Sequence, residues 1–386
     1  MIKTALADHP LRYPLTNELH ARPFAVLGAP GRAVFLAIMQ PSGAAERDPA
    51  ADRAHLTAFI DRHGGTHPAP EASHYSADFG RFRLKWERHT EFVSYTLYEE
   101  GPVGALFQAG LAQQFPEDWL AAAPGVVIAA VQVEAIGAED LAAAENLLEQ
   151  QLLPELSGES LTCARVLDGN ALAAGDFRIH EGGFSRFAVI VHGTAGPRRI
   201  GRASQRLIEI EAYRALAMLA LPVARETGRR LNEIEREFSR MIAQVGDGED
   251  TLPEAEILAR LTSLSATIET LSADAAFRFG AGGAYEAIVA QRIGMLREER
   301  LDGRQLFAEF MVRRFDPAMR TCHATERRLS ELATRASRIA ELLRTRVNVA
   351  VEAQNQELLE SMNRRAALQL RLQQMVEGLS VVAISY

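Results

Sequence analysis

The sequence predicts an α+β fold: an N-terminal mixed or antiparallel sheet with helices, then an all-α bundle, then one long C-terminal stalk helix. Three observations carry this. Short apolar or alternating runs, several of them consecutive, fill the chain up to about residue 195. After Pro197 the chain turns to Ala, Leu, Glu and Arg, which favour helix. From Pro317 to about Glu377 no helix breaker occurs. Strands that follow one another directly favour an α+β arrangement over a doubly wound parallel sheet. The expected division is residues 1–195, 196–316 and 317–386.

Taken in order, Val34–Gln40 is a short apolar run before Pro41 and reads as a buried strand. Pro49–His63 places Ala51, Leu56, Phe59 and Ile60 at helical spacing and stops at Gly64-Gly65. Phe82, Leu84 and Trp86 alternate with charged residues, as a half-buried strand should. Phe92–Tyr98 is rich in aromatic and β-branched residues and reads as a strand. Val126–Ile136 is a long strand candidate and Ala138–Leu152 a short helix. Leu161–Leu167, Phe177–His180 and Phe187–His192 supply further strands, with His180-Glu181-Gly182-Gly183 as a hairpin turn.

In the helical half, Ile200–Leu221 is expected to be one helix, interrupted at Pro222, with a second running on to Gly246-Asp247-Gly248. Leu252–Phe279 is expected to end at Gly280, Gly282 and Gly283. Tyr285–Arg300 follows, stopped by Asp302-Gly303, and the last helix runs from Gln305 with Pro317 as its single breaker. An unbroken helix from Pro317 to Glu377 would be a rod of roughly 90 Å. Leu329, Leu332, Ala336, Ile339 and Leu343 are spaced 3-4-3-4, and Leu368, Leu372, Met375, Leu379 and Val382 are spaced 4-3-4-3. Both are coiled-coil seams, expected either to pack against neighbours within the same chain or to self-associate into a homo-oligomer. Gln354, Glu357, Ser361 and Arg364 occupy the seam between them. Asn348, Glu352 and Asn355 form a polar face of the stalk, read either as simply exposed or as buried polar groups that set register or oligomer state.

Leu379–Tyr386 (LSVVAISY) is uncharged and directly follows a strongly charged helix. It reads as the start of a membrane helix, making the chain the cytoplasmic soluble part of a membrane-anchored protein. Arg364, Arg365 and Arg371 suit a cytoplasmic flank.

The chain has 386 residues, 47% hydrophobic and 24% charged, enough to bury a large core. Its net charge of −8 argues against nucleic acid as a partner. Lys3 and Lys85 are the only lysines. Cys163 and Cys322 match no zinc spacing and no redox pair, which suits a reducing compartment. The N-terminus lacks an apolar run of signal-peptide length. Walker A, Gly-x-Ser-x-Gly and His-Glu-x-x-His motifs are missing, and Gly280-Ala281-Gly282-Gly283 follows a helix, which excludes a dinucleotide fingerprint.

Several segments carry a resemblance: Asn17–Phe24 (NELHARPF), Trp86–Phe92 (WERHTEF), Ile208–Arg225, Phe310–Cys322 and Leu342–Tyr386. In these the chain resembles a family of uncharacterised bacterial membrane-anchored proteins, domain of unknown function 3422. The resemblance implies about two apolar helices beyond Tyr386 and a bacterial inner-membrane location. It implies no established activity. The order of elements is also similar to that of CorA-type divalent-cation channels, which implies a gating role as an alternative to a scaffold or sensor.

Two polar clusters are candidate sites. Glu18, His20 and Arg22 lie at alternate positions, as do Glu87, His89 and Glu91. In extended backbone each set would share a face. Carboxylates beside imidazole could hold a divalent cation or move protons. A salt-bridged network anchoring the N-terminal segment is the bland reading, and catalysis is not the favoured one.

Overall fold

A computed structural model describes residues 8–13, 15, 16, 24, 26–102, 104–243 and 253–384, the side chains of 374 and 376–384 excepted. The fold is α+β, as the sequence predicts. Among the described residues, nine strands form one mixed sheet in the order β2-β3-β4-β1-β5-β8-β7-β6-β9. They are β1 (Gly31–Met39), β2 (His74–Asp78), β3 (Arg83–Arg88), β4 (Phe92–Glu100), β5 (Val126–Gly137), β6 (Thr162–Val166), β7 (Ala171–Ile179), β8 (Ser185–Val191) and β9 (Glu299–Arg300). All pairs are antiparallel except β5 with β8. The helices are α1 (Pro49–His63), α2 (Glu117–Ala121), α3 (Leu141–Leu147), α4 (Pro197–Met218), α5 (Ala220–Ala243), α6 (Glu254–Leu296), α7 (Phe307–Phe310) and α8 (Asp316–Ile384).

The chain forms two compact units: residues up to Leu221 with Gly280–Thr321, and Pro222–Phe279 with Cys322 onward. The first is a three-layer unit. Successive side chains of a strand point to opposite faces. In β1, Ala33, Phe35, Ala37 and Met39 therefore join Leu207 and Ile210 of α4 in one core. Val34, Leu36 and Ile38 join Leu56, Phe59 and Ile60 of α1, with Trp86 of β3 and Tyr95 of β4, in the opposite one. Further along the sheet, Leu172, Ala174, Ala188 and Ile190 pack with Ala144 of α3. Helix α1 has the predicted bounds because both ends are capped: the Asp48 carboxylate accepts from Ala50 N, and Gly64 takes the left-handed conformation at φ 76°.

The second unit is a helical bundle. Leu231, Ile234 and Phe238 of α5, Ile257, Leu261, Leu264 and Ile268 of α6, and Leu329, Leu332, Ala336 and Leu343 of α8 form its core. Arg328 donates to Asn232 Oδ1 and Glu235 Oε2, both at 2.8 Å. The first heptad run thus packs within its own chain. Arg346 to Glu254, at 3.5 Å, is the last ion pair that α8 makes with another helix among the described residues. From Asn348 to Leu372 every residue of α8 is exposed, Asn348, Glu352 and Asn355 included. Among the described residues no helix is long and apolar enough to cross a membrane.

Several expected boundaries need correction. Helix α6 runs unbroken through Gly280, Gly282 and Gly283, so Tyr285 starts no new helix. Gly282 is there for closeness: a Cβ would sit 2.9 Å from Ala220 Cβ. The break before α5 falls at Leu219, and Pro222 lies in the first turn of α5, where its missing N–H costs nothing. Pro317 likewise opens α8 without breaking it. The helix expected over Ala138–Leu152 begins at Leu141, capped by Asp140, and passes into a π-helical turn at Leu148. Strand β7 starts six residues before Phe177, in an Ala-Gly stretch of weak strand propensity that burial on both faces overrides. Gly246-Asp247-Gly248 lies outside the described residues.

Candidate functional site

The period-two alternation of β3 and β4 builds a polar pocket on the α4 face of the sheet. Leu84 and Trp86 point into the α1 core, so Lys85 and Glu87 point the other way. Register pairs Glu87 with Ser94, and Phe92 and Ser94 share that face. Gln205, Glu209, Ala212 and Tyr213 of α4 recur at helical spacing and cover it, with Arg292 of α6 at one side. The result is a cavity of about 230 Å³.

Its charges are internally balanced. Lys85 Nζ lies 3.0 Å from Glu87 Oε2, both side chains largely buried. Arg292 pairs with Glu209, which also accepts from Gln205 Nε2 at 2.6 Å. His89 stacks on Phe92 with ring centroids 4.1 Å apart, and its Nε2 is 3.4 Å from Ser94 Oγ. On the same face, burial and then the Glu87 charge raise the Tyr98 hydroxyl far above the usual phenol range, so it stays protonated. A pocket whose charges already neutralise one another suits a neutral or zwitterionic polar molecule between aromatic walls. It is poorly suited to a bare cation, because Lys85 already occupies Glu87.

The structure brings together only part of the predicted cluster. Glu87 and His89 line the pocket. Glu91 does not, because β3 ends at Arg88 and the chain turns, His89 N donating to Phe92 O at 2.8 Å. Alternation stops at that turn. Glu91 is 1% exposed and accepts from Tyr285 OH at 2.6 Å. Glu18, His20 and Arg22 lie outside the described residues. Among the described residues, no three His, Cys, Asp or Glu side chains are grouped as a metal site requires. Gln205, Glu209, Tyr213 and Arg292 escaped the sequence reading because their partners lie far away in the chain. Only the four-residue spacing of Gln205, Glu209 and Tyr213 along α4 hinted at them.

A second buried polar network is structural. Arg47 is paired with Asp52, and Arg47 Nη1 donates to Ile38 O at 3.2 Å. His55 contacts Tyr95 Oη at 2.9 Å and Trp119 O at 3.0 Å, and stacks on the Trp119 ring. Burial lowers its pKa, so the ring is neutral, and both ring nitrogens are satisfied.

The sequence model of the family described as "Protein of unknown function (DUF3422)" matches residues 7–386. The chain belongs to that family. No curated protein and no solved structure matches it.

Proposed function

With that membership as premise, we propose that the chain is a self-associating scaffold or sensor, anchored to the bacterial inner membrane with its soluble region in the cytoplasm. One observation carries the reading. Beyond the bundle, α8 continues as a helix whose apolar side chains stay exposed, among them Leu368 at 59%, Leu372 at 58% and Met375 at 60%. A lone helix in water gains little from hydrogen bonding, and most helical stability comes from packing an apolar face. The 4-3 spacing of these residues is self-complementary, so a second copy is the natural cover. Anchoring rests on the uncharged run from Leu379 and the arginines at 364, 365 and 371. The polar pocket would be the sensing site, holding a neutral or zwitterionic small molecule.

The order of elements favours one further reading, a CorA-like gating domain. Analytical ultracentrifugation of the chain, with and without millimolar magnesium, tests both. A concentration-dependent oligomer that becomes monomeric when α8 is cut after Thr345 supports self-association. An assembly of five that responds to magnesium moves the reading to the channel. A monomer at all concentrations sinks self-association.

A further inference from the structure

Beside the polar pocket, α4 carries a second cleft of opposite character. Arg199, Arg202 and Arg206 fall on one face of α4, at i, i+3 and i+7. With Arg297 and the β6–β7 hairpin turn at Leu167-Asp168, they enclose a cavity of about 230 Å³. Four guanidinium groups face one carboxylate. Asp168 Oδ2 is 2.5 Å from Arg199 Nη2, and its Oδ1 is 3.6 Å from Arg297. Among the described residues, no carboxylate lies within ion-pair distance of Arg202 or Arg206. Arg202 lies over the Phe24 ring at 5.9 Å, and Arg206 Nη1 donates to Met295 O at 2.9 Å. Each guanidinium has five donors, so most remain available to a ligand.

This grouping opposes local preferences. Arg199 stands in the first turn of α4, where the helix dipole disfavours positive charge. Burial, followed by the charges of Arg202 and Arg292, lowers the Arg206 pKa. Leu167 and Asp168 both have φ 57°, a left-handed conformation that non-glycine residues seldom adopt. The strained turn holds its Leu167 carbonyl 3.0 Å from Arg199 Nη2. Gathered cations, a helix N-terminus and a positioned turn are what a multiply charged anion would repay.

We propose that the Arg199–Arg202–Arg206–Arg297 cleft binds a phosphate group, carried by a soluble metabolite or by a lipid headgroup. Phosphate fits better than a single carboxylate because it has several oxygens and more charge to satisfy guanidinium forks arriving from α4 and from Arg297, just beyond the end of α6. Asp168 occupies part of the cleft as a competing anion.

The test is calorimetric titration of the full chain with pyrophosphate at low salt, beside co-sedimentation with phosphatidylcholine vesicles with and without phosphatidic acid. Saturable binding is expected, weakened roughly tenfold or more by Arg202→Gln or Arg206→Gln, the loss of about one charge-assisted hydrogen bond. Asp168→Asn should tighten binding. Asparagine tolerates the left-handed turn, so this gain cannot come from misfolding. Retention on phosphatidic acid vesicles that pyrophosphate displaces assigns the phosphate to lipid, and pyrophosphate binding without retention assigns it to a soluble ligand. The proposal is overturned if neither probe binds up to about 10 mM, an affinity weaker than any specific site needs. Binding that both arginine variants leave unchanged overturns it equally.

Discussion

Along α8, Leu329, Leu332, Ala336 and Leu343 are buried against α5 and α6, whereas Leu368, Leu372 and Met375 are each more than half exposed. The heptad spacing is the same in both runs. What differs is the company. Helices α5 and α6 supply a facing groove for the first run, and nothing among the described residues covers the second. A seam states that a helix wants a partner without saying whose chain provides it.

The largest effect is expected where the cover is complete. Leu332 is 2% exposed, and Leu332→Ala should destabilise the protein by about 2–5 kcal/mol in denaturant titration. At the matching exposed position, Leu372→Ala should change unfolding by less than about 0.5 kcal/mol while weakening self-association. Equal losses at both positions would break the comparison.

Charge sharpens the same contrast between covered and open sites. Glu87 lines a pocket, whereas Glu134 is 2% exposed and accepts from Phe107 N at 3.0 Å. Burial pushes the Glu134 carboxyl up to about 7 from an ordinary 4.5. A raised folded-state value means that the unfolded chain releases this proton first as pH rises. The stabilisation from a protonated Glu134 is therefore full below pH 4.5 and lost towards pH 7. Glu134→Gln should leave stability at pH 4 unchanged and raise it at pH 8, by roughly 2–3 kcal/mol. Parallel pH profiles for the two proteins would refute this.

The smallest contrast lies within α6. Gly280 has open space around its Cβ position and Gly282 has Ala220 in the way. Gly280→Ala should stabilise by about 0.5–1 kcal/mol through helix propensity. Gly282→Val should destabilise by about 1–3 kcal/mol through overpacking, which outweighs its smaller propensity gain. Melting temperatures moving in opposite directions would establish that Gly282 is kept for its small size.

Much of the fold was legible because local signals agreed. Pro49 to His63 carries apolar residues at helical spacing and is followed by Gly64-Gly65, and nothing in its surroundings contradicts them. Glycines at 280, 282 and 283 misled because a breaker states only a local cost, and helix packing along α6 outweighed it. The short strand β2 was missed because His74–Asp78 lies at the sheet edge, half-buried, without a clear apolar face. In the candidate site, Glu87 and His89 were visible as polar residues at alternate positions. The turn that removes Glu91 from them was not.

The sequence by itself determined the α+β class, most of the strands, the helical second half and the unbroken stalk, since these follow from periodicity and breakers within a few residues. Only the tertiary structure decided which side chains meet. It set Arg292 against Glu209 and gathered Arg297 with three arginines of α4. It also buried one leucine run and left Leu368, Leu372 and Met375 of the other exposed. Those outcomes depend on contacts between residues far apart in the chain, and no local window of sequence contains both partners.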